Sequence, residues 1–196
     1  MIYRLYVKRI LDFAIALIAL PFVCLLTIPI GLAIKLDDYG KVFYVSKRYG
    51  RNMSTFGMLK YRTMIMDAPD IRNRDGSTYN SEDDPRLTKV GRVLRKTSLD
   101  ELPQLINVLL GHMSLVGPRP SPMGNEATYT DYVKRKFQVR PGITGYNQVL
   151  KRNSASLKER YDNDVFYAEN ISFVFDIKIL LMTVVSVIKK ENIYTS

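Results

Sequence analysis

Asp100 and Glu101 stand side by side in the run RKTSLDELPQLINVL. With ordinary carboxyl pKa values near 4, both are ionised at neutral pH and repel each other. A hard cation such as Mg²⁺ relieves that repulsion, and it takes oxygen ligands together with substrate phosphates. One carboxylate could then attack phosphorus as a nucleophile, while the metal and nearby Arg or Lys stabilise charge on the transferring oxygens. The same residues also have a purely structural reading. Ser98 with Glu101 three residues on is a capping-box pattern, and acidic side chains suit the first turn of any helix. Pro103 belongs in a first helical turn, so it puts the pair at or just before a helix start, where both carboxylates can meet one cation.

Cationic candidates for phosphate contact lie close in sequence: Lys60, Arg62, Arg92, Arg95, Lys96 and Arg119. Most such residues are ordinary solvated charges. Arg119 differs, because Pro118 and Pro120 stiffen the backbone on either side of it. The chain has one cysteine, Cys24, and one histidine, His112, which excludes an internal disulfide, a zinc cluster and His-based relay chemistry. Lys plus Arg exceed Asp plus Glu by 29 to 19, a net charge of +10 over 196 residues. That excess favours anionic partners: nucleic acid, lipid headgroups or a phosphorylated substrate. Against nucleic acid, aromatics do not interleave with the basic residues, and no helix-turn-helix or zinc signature is present.

The elements that must position these groups begin with a membrane segment. Phe13 to Ile34 carries no charge and is long enough to cross a hydrocarbon core of roughly 30 Å. Basic residues flank it on both sides, so the positive-inside rule assigns no orientation to a simple span. Pro21 near its middle removes a backbone donor and bends the helix. A span and a re-entrant hairpin both fit. Alternation at Val42–Val45 and around Phe56–Leu59 predicts short strands, with a turn at Gly50–Asn52. Residues 67–86 are polar and read as a mobile loop. Leu102, Leu105, Ile106 and Leu109 predict an amphipathic helix ending near Gly111. A Pro/Gly-rich passage, GPRPSP, a polar helical stretch through Phe137, and RPGITGYNQV follow. A last helix runs from about Ser172 to Lys190. Its polar residues Ser172, Asp176, Thr183, Ser186 and Lys190 share one narrow arc, which suits an interfacial or core-packed helix.

KRILDFAIAL…P, LKYRTM, GRVLRKTSLDELPQLINVLLGHMSLVGPRP, RPGITGYNQV and NISFVFDIKIL together resemble the bacterial sugar transferases, the monotopic phosphoglycosyl transferases. The likeness covers nearly the whole chain, in the family's order. It implies an α+β, mainly helical fold. Residues 1–36 would form a re-entrant membrane helix-break-helix broken at Pro21, and residues 37–196 a small cytoplasmic catalytic domain with interfacial helices. It implies an Mg²⁺-dependent enzyme at the cytoplasmic face of the bacterial inner membrane. Such an enzyme moves a sugar-1-phosphate from a UDP-sugar to undecaprenyl phosphate by a ping-pong route, releasing UMP, as the first membrane step of glycan assembly. The matched positions make Asp100 the nucleophile and Glu101 a metal ligand beside it. Lys60, Arg95, Arg119 and Arg152 become substrate contacts, and Asp176 a support for the site. Other glycan-assembly enzymes are expected as further partners, and nucleic acid is not. The chain departs from the family pattern at Leu20, Gly40-Lys41, His112 and Leu150-Lys151-Arg152-Asn153. None of these touches the carboxylate pair.

Overall fold

The computed structural model describes residues 2–72, 79, 81–151 and 154–189; Arg152 and Lys190 lie outside them. Helix α1 spans Lys8–Asp38, after a short wider-wound turn at Tyr3–Val7. Asp12, Ala16, Val23, Gly31 and Ile34 form its buried stripe at helical spacing. Its other faces leave Ile10, Ile18, Phe22, Leu25, Ile28 and Leu32 exposed. By length and composition it could cross a membrane. The structure shows one helix through Pro21 rather than two. A proline deletes one hydrogen bond and bends a helix without necessarily ending it. Pro29 lies inside as well, and between the two the Thr27 hydroxyl donates to the Val23 carbonyl at 2.7 Å.

Strands β1 (Phe43–Tyr49) and β2 (Thr55–Tyr61) form the predicted hairpin, pairing antiparallel over their full length. The turn runs from Gly50 to Ser54, with Asn52 and Met53 both at positive φ. Phe56 and Met58 pack with Ala16, Val23, Leu105, Val108 and Met113 in the main core, so the hairpin sits directly on α1.

The stretch read as a mobile loop is pinned at its far end. Asp84 is fully buried, and Arg86 clamps it through Nη2 at 2.7 Å while also reaching the carbonyls of Pro69 and Tyr79. Composition concealed this, because two charged residues two apart look solvated until they pair in the interior.

Helix α2 (Lys89–Thr97) is capped by Thr88. Its Gly91 lies so near the Thr63 carbonyl that a Cβ would come within 1.9 Å of that oxygen. The chain then makes a 3₁₀ turn at Leu99–Glu101 and enters α3 (Gln104–Leu109). Beyond α3, β3 (Ser114–Val116) pairs in parallel with β5 (Gly142–Thr144), and β4 (Ser121–Pro122) extends the hairpin sheet alongside β1. α4 (Asp131–Lys134) lies between β4 and β5, while α5 (Tyr146–Leu150) and α6 (Leu157–Glu169) follow β5.

Helix α7 (Phe173–Lys189) matches its predicted span but turns its polar arc inward. Asp176 is buried among Tyr3, Lys8 and Tyr167, and Thr183 bonds Thr144. Val174, Leu181, Val184 and Ile188 point away from the protein and are exposed. A helix in water does the reverse. The architecture is a mainly helical α+β fold with small sheets and one long apolar helix at its N-terminal end.

Candidate active site

Ser98 sets the geometry of the carboxylate pair. It ends α2 in the left-handed conformation, φ 58°, and turns the chain into the 3₁₀ turn that carries Asp100 and Glu101. The pair therefore sits just ahead of α3, as Pro103 suggested. The capping box does not form: Ser98 makes no side-chain cap bond, and the Glu101 carboxylate turns instead to Lys60.

Lys60 reaches the pair from the last rungs of β2. Its Nζ donates to Glu101 Oε1 at 2.6 Å and lies 3.5 Å from Asp100 Oδ2. Asp100 is only 7% exposed. Burial pushes its carboxyl above the usual aspartate range; the Lys60 ammonium opposes this and the Glu101 charge adds to it. Arg95, in the last turn of α2, also lends Asp100 a positive field, while its Nε donates to Thr63 Oγ1 at 3.0 Å.

Asn107 explains how β2 and the pair keep their register. Its amide donates to the Gly57 carbonyl at 2.8 Å and accepts from the Leu59 N–H at 2.9 Å, so α3 docks on the open edge of β2 much as another strand would. Sequence reading missed it, since a lone Asn in an amphipathic helix carries no sign of a strand edge nearby.

The two carboxylates converge on one ammonium, which is the arrangement a divalent cation also requires. Two hard oxygen groups, with further positions left to water and phosphate, suit Mg²⁺. Among the described residues there is no group of three or more His, Cys, Asp or Glu able to hold a metal. A cation here would rest on the pair and on non-protein ligands.

The other candidates divide. Arg119 is exposed on the proline-fixed loop after β3, and its charge reaches Arg48 of β1. That loop is held by close backbone packing: a Cβ on Gly142 would fall 2.1 Å from the Gly117 nitrogen, which explains the glycines of both GPRP and PGITG. Arg62 is buried in a structural role, bonding Asp38 and the carbonyls of Lys41 and Met64. Asp176 sits in its own cluster, where Lys8 Nζ and the hydroxyls of Tyr3 and Tyr167 each approach within 2.6 Å; among the described residues it shares no hydrogen-bond partner with Asp100. Arg152 lies outside the described residues.

Both ends of α1 bind the domain that carries this site. Arg9 donates to the Val108 and Leu109 carbonyls at the end of α3, and Asp12 accepts from Ser114 and the Leu115 N–H. At the other end, Asp37 accepts from the Val90 N–H of α2, and Asp38 pairs with Arg62.

Known proteins share much of this sequence. The chain is 40% identical over 186 residues to the uncharacterized sugar transferase EpsL of Bacillus subtilis, covering 95% of this chain and 89% of that one. It is 37% identical over 198 residues to the UDP-glucose:undecaprenyl-phosphate glucose-1-phosphate transferase of Caulobacter vibrioides, covering 95% and 72%. Over 189 residues it is 33% identical to the UDP-N-acetylgalactosamine-undecaprenyl-phosphate N-acetylgalactosaminephosphotransferase of Aeromonas hydrophila, covering 91% of this chain and 43% of that one. Residues 3–190 match the family described as bacterial sugar transferase, and the chain belongs to that family.

Proposed function

We propose that this protein is a phosphoglycosyl transferase that moves a sugar-1-phosphate from a UDP-sugar to undecaprenyl phosphate, through a covalent intermediate on Asp100. The observation that carries the reading is the convergence of buried Asp100 and its neighbour Glu101 on Lys60. Relatives whose names give undecaprenyl phosphate as acceptor support it.

In the first step an Asp100 carboxylate oxygen attacks the sugar-bearing phosphorus. The bond from that phosphorus to the bridging oxygen breaks, and UMP leaves with the electron pair. In the second, an oxygen of undecaprenyl phosphate attacks the same phosphorus and frees the Asp100 carboxylate. No proton need be transferred in either step. Lys60 and Arg95 balance the buried charge, and Glu101 holds Lys60 in place. Bound Mg²⁺ would be held by Asp100 and Glu101 and would neutralise phosphoryl oxygen charge.

The membrane reading is of one piece with this. Asp12 and Asp37 are roughly 37 Å apart along a straight helix, yet both bind one domain. A span of the bilayer would put the membrane between them. A re-entrant α1 bent at Pro21, with its apolar faces and the outer face of α7 in lipid, keeps both ends at the cytoplasmic face of the inner membrane. A purely tethering or scaffolding protein has no use for a lysine-bridged carboxylate pair.

Purified protein in lipid, supplied with UDP-sugars and Mg²⁺, is expected to release UMP over many turnovers only when undecaprenyl phosphate is present, and at most one UMP per protein molecule without it. Absence of UMP with every UDP-sugar tried contradicts the reading.

A further inference from the structure

Arg48 projects from the face of the hairpin that carries Lys60. Directly opposed residues of antiparallel strands share a face, and the register pairs Tyr44 with Lys60, Ser46 with Met58 and Arg48 with Phe56. At about 3.4 Å per residue, the backbone of Arg48 starts roughly 14 Å from the rung of Lys60. Its Nε donates to the hydroxyl of buried Ser46 at 3.1 Å, so the guanidinium leans back along the strand toward the catalytic pair. Ser46 itself stands one two-residue step, roughly 7 Å, from the Lys60 rung.

Among the described residues no carboxylate pairs with Arg48. Its charged neighbours are Arg119 and Arg72, and of these Arg72 has its own carboxylate partner in Asp70. Burial, and after it the charge of Arg119, pulls the Arg48 guanidinium below its usual pKa. A half-buried cation set against another cation is unfavourable unless an anion joins them. A guanidinium fork matches a phosphate in geometry as well as charge.

We infer that Arg48, aimed by Ser46 and backed by Arg119, grips the phosphate of the departing UMP. The inference rests on the transferase reading above. We place the second phosphate of the donor on the Arg48 side of the sugar-bearing phosphorus, toward Ser46 of β1. When the bond to the bridging oxygen breaks, the electron pair and the new negative charge go to that second phosphate. Arg48 therefore meets the charge that develops on the leaving group.

The test titrates the full chain in lipid nanodiscs with UMP and with uridine, which has no phosphate. Arg48→Gln is expected to weaken UMP binding roughly 10- to 100-fold and to leave uridine binding unchanged. Arg48→Lys should fall between wild type and Arg48→Gln, and Ser46→Ala should weaken UMP binding by a smaller factor. Unchanged UMP affinity in Arg48→Gln overturns the inference, and so does a parallel loss of uridine binding. If Arg48→Gln does not fold, unchanged UMP affinity in both Arg48→Lys and Ser46→Ala overturns it instead. Wild-type protein that binds UMP but releases none from UDP-sugars contradicts the transferase reading, while the UMP titration still decides the role of Arg48.

Discussion

Lys60 Nζ stands 2.6 Å from Glu101 Oε1 but 3.5 Å from Asp100 Oδ2, so its full hydrogen bond goes to the second carboxylate of the pair. Asp100 is thereby screened by a positive charge without being capped by it, which leaves an oxygen able to attack. Replacing Glu101 with Gln weakens the tether on Lys60 and removes half of the carboxylate pair. UMP release is expected to fall about 100-fold or more. An activity within threefold of wild type contradicts the role given to Glu101.

Acid should switch the enzyme off at a pH above the ordinary aspartate range. The reaction needs ionised Asp100, whose carboxyl is raised chiefly by burial, with Lys60 pulling it back down. Removing that ammonium in Lys60→Met should move the acid limb of kcat/KM to higher pH. An acid limb that stays where it is in this variant contradicts the account. Stability follows the same sign. A carboxyl raised in the native state contributes stability below its unfolded pKa, and that contribution is lost as pH rises through the native value. At neutral pH the buried charge is therefore a cost.

Asp100→Asn relieves that cost while removing the nucleophile. The variant should lose turnover yet melt a few degrees higher at neutral pH, since roughly 1 kcal/mol moves a domain of this size by about 2–4 °C. Thermal melts of the two proteins in the same lipid check this, and a lower melting point in the variant counts against it.

Asn107→Ala leaves the Leu59 N–H and the Gly57 carbonyl without their partner on the β2 edge. Two orphaned backbone groups cost on the order of 2–4 kcal/mol. Melting should drop clearly, and activity should fall with it as α3 and the carboxylate pair lose their register on Lys60. Retained stability would show that the docking is incidental.

The placement of α1 is open to labelling. In a Cys24→Ser background, single cysteines at Tyr6 and Tyr39, which are 66% and 84% exposed, report the two ends of the helix. A membrane-impermeant maleimide should label both in inside-out vesicles and neither in right-side-out ones. Labelling of the two ends from opposite sides rules out the re-entrant path.

Much of this was legible because local signals and tertiary demands agreed. Pro103 placed the pair ahead of α3, and strand alternation found the hairpin that presents Lys60. What stayed hidden depended on partners distant in sequence. Asn107 needs β2, Arg86 needs the Pro69 carbonyl, and the inward polar arc of α7 needs Tyr3 and Lys8 from the other end of the chain. Arg48 escaped notice for a related reason. Only the hairpin register and the bond to Ser46 put it on the face that carries Lys60. The capping-box pattern at Ser98 misled because the left-handed backbone there serves the end of α2.

The central claim is that Asp100 becomes covalently bonded to phosphorus. Active protein incubated with Mg²⁺ and its UDP-sugar, with no lipid acceptor, should carry a phosphosugar on the peptide containing Asp100, and added undecaprenyl phosphate should discharge it. Mass analysis that never finds this adduct on Asp100, in a preparation that turns over, contradicts the account.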